Sequence, residues 1–160
     1  MKIKQILVLT FIVALGLSCK DKEDVSAKTK LELLAGTNSK TWKVSSAIAK
    51  SGTLELNLTG TQPTCRIDNT LILFANKTYE LREGASKCVA SDPDLLLKAN
   101  WTLSADETSL TVDKLILLGF EFNQPVIKIT ELTDNSLKGE TVLTYNGQQY
   151  TLVASFVPAN

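Results

Sequence analysis

The sequence predicts an all-β protein, an up-and-down antiparallel β-barrel of about eight strands with a short N-terminal helix. Apolar and polar residues alternate with a period of two from Trp42 to Phe156, which is typical of half-buried strands. The segments are joined by short turns, and Asn146-Gly147 is the strongest hairpin signal among them. Closing such a meander into a barrel removes the two exposed edges that an open sheet would have.

One helix is predicted, over Thr29 to Ala35, where Leu31 and Leu34 have helical spacing and Gly36 is a stop signal. Two-residue alternation then predicts the strands. In the second of them the leucines of Thr53 to Thr59 form one apolar face. The predicted strands are Thr41–Ala49, Thr53–Thr59, Thr70–Ala75, Thr78–Glu83, Lys98–Ser104, a strand beginning with Leu110 and Val112, Val126–Leu132, Leu137–Tyr145 and Gln149–Val157, in which Tyr150, Leu152, Ala154 and Phe156 point inward.

The alternation slips once. Lys114 falls in phase with the apolar residues before it, whereas Leu115 to Leu118 are apolar on both faces. A bulge near Asp113 explains the slip, and Gly119 to Pro125 is then predicted to be a longer connection.

Residues 1–18 have the layout of a secretory signal. Lys2 and Lys4 supply the positive start, and the apolar stretch from Ile6 to Leu17 is shorter than the ~20 residues of a membrane-spanning helix. The run from Leu15 to Cys19 resembles the lipobox of bacterial lipoproteins, in which the cysteine is acylated and becomes the first residue. The alternative is an ordinary secretory signal followed by a chance cysteine.

Residues 19–30 are predicted to be the lipidated cysteine and a solvated tether. The charged run Lys20 to Asp24 resembles the surface-export signals of Bacteroidota lipoproteins, although a generic charged linker explains it equally well. The expected location is the cell envelope, with a lipid anchor in the outer membrane and exposure on its outer face.

Charge and composition exclude several function classes. Removal of Lys2 and Lys4 takes two of the 17 basic residues and none of the 17 acidic ones, so a net charge of −2 remains. A nearly neutral surface gives no argument for nucleic acid. The chain has no histidine and no glycine-rich phosphate loop, and its carboxylate pairs Asp92/Asp94 and Asp106/Glu107 fall in turn-like segments. We therefore predict no enzyme and no cofactor.

Once Cys19 is lipidated, Cys65 and Cys88 are the remaining cysteines, and two cysteines in an exported domain usually pair. The disulfide would contribute about 3 kcal/mol in the chain-entropy model. A metal or redox role is the alternative, without a CxxC spacing to support it.

From about residue 31 to 160 the chain resembles the lipocalin-like domains of Bacteroidota lipoproteins. Trp42 stands where lipocalins have the tryptophan of a Gly-x-Trp motif at the start of their first strand. The runs that carry the resemblance are Leu33–Gly36, Lys40–Val44, Asn69–Tyr79, Trp101–Ser104, Ile129–Leu137 and Phe156–Pro158.

The resemblance implies a single barrel domain over residues 31–160 that binds a small hydrophobic ligand at the cell envelope. For the aromatic candidates of the ligand site, a core role is favoured over ligand binding, because large aromatic side chains are usual core material. The alternative function is a protein-interaction or hydrolase-inhibitor lipoprotein acting through Gly84 to Leu97 or Gly119 to Pro125. The candidate ligand-binding residues are Trp42, Phe74, Tyr79, Trp101, Tyr150 and Phe156.

Overall fold

The computed structural model describes residues 27–145 and 147–159. The predicted signal segment, Cys19, the tether up to residue 26 and Asn146 of the predicted hairpin turn lie outside the described residues. Within them, no helix is long and apolar enough to cross a membrane.

The predicted N-terminal helix is confirmed as α1, Lys30–Ala35. Thr29 and Glu32 form a reciprocal capping box: the Glu32 N–H donates to Thr29 Oγ1 at 3.2 Å, and the Thr29 N–H donates to Glu32 Oε2 at 2.7 Å. Gly36 ends the helix with a φ of 62°, a conformation that glycine adopts without steric penalty.

The closed antiparallel barrel is also confirmed. In the described part of the chain nine strands form one sheet, and eight of them close into a barrel because β1 pairs with both β3 and β11. A second short helix, α2 (Thr64–Ile67), precedes β3. The barrel strands are β1 (Ser39–Ser51), β3 (Thr70–Phe74), β4 (Thr78–Arg82), β5 (Leu95–Leu103), β6 (Ser109–Val112), β9 (Val126–Leu132), β10 (Leu137–Tyr145) and β11 (Gln148–Pro158).

The core lies inside this barrel and is built by alternate residues of each strand. Trp42 and Trp101 are its largest fully buried side chains. On β11, Leu152 and Ala154 point inward and are buried, as the alternation predicts.

The leucine face predicted for Thr53 to Thr59 is wrong in part. The strand β2 (Leu54–Asn57) leaves Leu54 59% and Leu56 47% exposed, and only Leu58 is buried. Leu56 pairs with Ala49, which pairs in turn with the buried Leu152, so the leucines are on the inner face. They remain exposed because β2 pairs only with the last residues of β1, at one end of the barrel.

The predicted bulge near Asp113 and the predicted connection over Gly119 to Pro125 are both wrong. The chain leaves the barrel sheet after β6 and forms a separate hairpin of β7 (Lys114–Leu117) and β8 (Phe120–Asn123) before it rejoins the sheet at β9. Leu118 and Gly119 form its two-residue turn with φ values of 53° and 84°. Positive φ at both positions suits a hairpin. Leucine rarely adopts a positive φ, so Leu118 is not recognisable as a turn residue from local pattern.

Candidate functional site

One end of the barrel is closed by α1, which packs against β1, β3 and β9. Trp42 donates from Nε1 to the Leu34 carbonyl at 2.8 Å, which satisfies a carbonyl of the last helical turn. Lys40 lies 4.1 Å from the centroid of the Trp42 ring and donates from Nζ to the carbonyls of Leu33 at 2.8 Å and Asp134 at 3.0 Å. Partial burial lowers the pKa of Lys40. These contacts join the helix to the barrel. The alternation of residues along a strand does not predict that Lys40 would form them.

The β7–β8 hairpin fills the interior from the other end, and residues 114–123 are called the plug hairpin below. Its Leu115, Leu117 and Leu118 are buried, whereas Lys114 and Glu121 form an ion pair of 2.7 Å across it. The turn of the plug hairpin packs against α2. A Cβ added at Gly119 would lie 2.8 Å from the Arg66 guanidinium, so glycine permits this close contact. The apolar residues on both faces of residues 115–118 are thus explained by insertion into the barrel.

An apolar cavity of about 50 Å³ remains between the plug hairpin and the barrel wall. Six barrel strands contribute to its lining together with Leu115 and Leu117 of the plug hairpin. No charged side chain of the described residues lines it. The remaining lining residues are Leu71, Leu73, Tyr79, Leu110, Val112, Ile127, Ile129, Leu137, Gly139, Thr141, Leu152, Ala154 and Phe156.

A second cavity of about 30 Å³ lies beside the first and is more polar, because Arg66 and Asn69 line it along with Trp42. The two cavities share Leu71, Leu115, Leu117 and Phe156 as lining residues. Two of these four residues belong to the plug hairpin. Displacing the hairpin would therefore join the two spaces into one.

Tyr79 is the notable polar residue of the first cavity. It is 1% exposed, and its hydroxyl oxygen has no hydrogen-bond partner in the described part of the chain. Burial raises the pKa of the Tyr79 phenol, and the negative charge of Asp113 raises it further. The hydroxyl is therefore protonated at neutral pH and retains an unused donor.

The structure brings together only some of the predicted ligand residues. Tyr79 and Phe156 line the first cavity, and Trp42 and Phe156 line the second. Phe74, Trp101 and Tyr150 line neither cavity.

For two of these three residues, the structure shows why they do not line a cavity. Trp101 is buried and donates from Nε1 to the Thr78 carbonyl at 2.9 Å, which is a core role. Phe74 follows the buried Leu73 and so lies on the opposite, outer face of β3.

Aliphatic residues form most of the first cavity, and none of them is among the six predicted ligand-binding residues. Ile127 and Ile129 of β9 and Leu152 of β11 line it together with leucines of the plug hairpin. Their alternation placed them on the inner face, but alternation does not tell a packed position from one that borders a cavity.

The disulfide between Cys65 and Cys88 is confirmed, with a Cα–Cα distance of 5.2 Å. It joins α2 to the segment that follows β4. Asp68 strengthens this link, because its Oδ2 accepts from the Ser86 N–H at 2.9 Å and from the Ser86 hydroxyl at 2.6 Å. Of the two segments predicted for protein interaction, Gly84 to Leu97 is therefore held against α2 and its end belongs to β5. The second segment, Gly119 to Pro125, contains β8.

The carboxylates outside the barrel have local structural roles. Burial raises the pKa of Glu83, and the nearby charges of Asp92, Asp68 and Asp94 raise it further. Asp106 accepts hydrogen bonds from the Ser104 and Thr108 hydroxyls, which lower its pKa and fix the turn between β5 and β6. Within residues 27–145 and 147–159, no group of three or more metal-ligating side chains is close enough to hold an ion.

No protein-family model and no curated protein matches the sequence. Solved structures with a similar fold include bovine odorant binding protein in complex with undecanal, at 17% identity and a TM-score of 0.47, covering 86% of this chain and 78% of that chain. The same bovine protein in complex with its natural ligand gives 18% identity and a TM-score of 0.45, covering 84% of this chain and 76% of that chain. Similarity at this level carries no argument about family or function. The barrel assignment rests on the strand pairing described above.

Proposed function

We propose that this protein binds a small apolar molecule inside its barrel while it is attached to the cell envelope by a lipid on Cys19. The observation that carries the binding part is the interior cavity with its almost wholly aliphatic lining. Ligand sites are typically concave, mostly apolar and supplied with a few polar groups that orient the ligand. Tyr79 and Thr141 are the hydroxyl-bearing side chains available for that purpose.

The lining favours an apolar occupant over water. A buried water molecule needs two to four polar partners, and apolar cavities remain dry. Side chains around an empty space lose dispersion contacts on that side, so an occupant that restores them gains binding energy. At about 50 Å³ the cavity is far below the ~300–1,000 Å³ of drug-sized sites, which restricts the ligand to few non-hydrogen atoms unless the plug hairpin moves.

The plug hairpin provides the route of access in this proposal. Among the described residues its strands pair only with each other, and at its base Asp113 and Asn100 of β5 are joined by hydrogen bonds in both directions. The Asp113 N–H donates to the Asn100 carbonyl at 3.0 Å, and the Gln124 N–H donates to the Asp113 carbonyl at 3.0 Å. The hairpin can therefore separate from the wall without breaking a strand ladder, although it must give up the burial of its leucines.

The anchoring part rests on the sequence of residues 1–19. The described chain enters the fold beside α1, where Lys28 pairs with Asp134 at 2.5 Å. A tether would thus join the barrel at its helix-closed end, and the plug hairpin at the other end would face away from the membrane. Labelled palmitate should be incorporated into the wild-type protein and not into a Cys19→Ala variant. Equal labelling of both proteins would refute the anchor.

Ligand binding is tested by titrating the purified domain with methylenecyclopentane, a compact apolar probe that is larger than the resting cavity of about 50 Å³ and therefore requires the plug hairpin to move. We expect saturable NMR shifts of the Ile127, Ile129 and Leu152 methyl groups, because these residues line the cavity. An Ala154→Leu variant should lose the shifts, since the added atoms would occupy the same space.

Val153→Leu is the matched control, because residue 153 lies on the other face of the same strand and lines neither cavity. It should bind the probe like wild type, with circular dichroism confirming that both variants are folded. Absence of saturable methyl shifts in the wild-type protein would overturn the proposed function. Unchanged binding by Ala154→Leu would show that the probe binds elsewhere.

A further inference from the structure

We infer that the ligand is an uncharged molecule with a hydrogen-bond acceptor oxygen, such as a small ketone, aldehyde or alcohol, and that the Tyr79 hydroxyl donates to that oxygen. This inference rests on the proposed function, because it specifies the chemistry of the molecule held in the first cavity. It follows from the unused donor of Tyr79 and from the lack of charged side chains among the described lining residues.

The unused donor is the first argument. Buried polar groups in folded proteins nearly always have a hydrogen-bond partner, and a buried donor without one is destabilising. Tyr79 is 1% exposed, lines the cavity and has no partner for its hydroxyl within the described residues. Trp42 and Trp101, which are equally buried, both donate to backbone carbonyls. A ligand oxygen in the cavity would supply the acceptor that Tyr79 lacks.

Water is a poor candidate for that acceptor. A buried water molecule typically makes about three hydrogen bonds, whereas the described lining offers two hydroxyls, those of Tyr79 and Thr141, among side chains that are otherwise apolar. A molecule with an apolar body and one polar oxygen matches this distribution, because the body contacts the aliphatic wall while the oxygen accepts from Tyr79.

The absence of a countercharge excludes ionised ligands. The lining contains no lysine, arginine, aspartate or glutamate, and an unpaired charge is very unfavourable in an apolar site. The negative charge of Asp113, which acts on Tyr79 from outside the lining, would further disfavour a carboxylate. A neutral oxygen carries no charge to be buried and is not repelled by the Asp113 carboxylate.

The test compares cyclopentanone with methylenecyclopentane, which have the same shape but differ in that only the ketone has an acceptor oxygen. Tyr79→Phe should weaken cyclopentanone binding by about threefold to tenfold, the range expected for loss of one hydrogen bond. The same variant should leave methylenecyclopentane binding unchanged. Dissociation constants come from the methyl NMR titration. Tyr150→Phe, the same substitution at a tyrosine that lines neither cavity, is the matched control, and Thr141→Val tests the other hydroxyl of the lining.

The outcomes separate this inference from the proposed function. If Tyr79→Phe affects both probes equally, or neither, the hydrogen bond to Tyr79 is refuted while ligand binding stands. If Thr141→Val produces the selective loss instead, the donor is the Thr141 hydroxyl and its assignment to Tyr79 is refuted. If neither probe shifts the cavity methyl groups of the wild-type protein, the proposed function itself fails.

Discussion

Replacing Trp42 by alanine is expected to lower the free energy of unfolding by about 3–5 kcal/mol, the range for removal of a buried tryptophan from a core. Trp42 is fully buried, lines the second cavity, and joins the barrel to α1 through its bond to the Leu34 carbonyl. The substitution therefore leaves a void, an unpaired helix carbonyl and a Lys40 ammonium without its aromatic partner. Urea denaturation followed by circular dichroism measures the change.

Trp42→Phe is the informative companion variant. It retains an aromatic ring beside Lys40 but removes the indole donor to Leu34, so its destabilisation should be smaller than that of Trp42→Ala. A loss below about 1 kcal/mol for Trp42→Ala would contradict the position of this residue in the core.

Replacing Cys65 and Cys88 together by serine is expected to destabilise the protein by about 3 kcal/mol, because the crosslink restricts the unfolded chain over a sequence separation of 23 residues. The folded state should keep its barrel, since Asp68 still binds Ser86 and the Gly84 N–H still donates to the Asn69 side chain at 3.0 Å. Urea denaturation of the oxidised protein and of the double variant gives the difference.

A reductant supplies the control for the disulfide. It should lower the stability of the wild-type protein toward that of the double variant and leave the double variant unchanged. Equal stability of the oxidised wild-type protein and the double variant would mean that the bond contributes nothing to the fold.

Several features of this fold could be predicted from the sequence because they depend on local pattern. The helix is set by the helical spacing of Leu31 and Leu34, and its end by Gly36. The barrel follows from period-two alternation, as Leu152 and Ala154 illustrate, because side chains of a strand point alternately to its two faces. The disulfide between Cys65 and Cys88 could be predicted because two cysteines in a domain expected to be exported usually pair.

Alternation identifies the face on which a side chain lies, but tertiary structure decides what lies opposite that face. Leu54 and Leu56 are on the inner face yet exposed, because β2 lies at the end of the barrel. Residues 115–118 belong to a hairpin that enters the barrel, a long-range contact that no local period encodes. Tyr79 acquired an unpartnered hydroxyl for the same reason: strands distant in sequence enclose it and supply no acceptor.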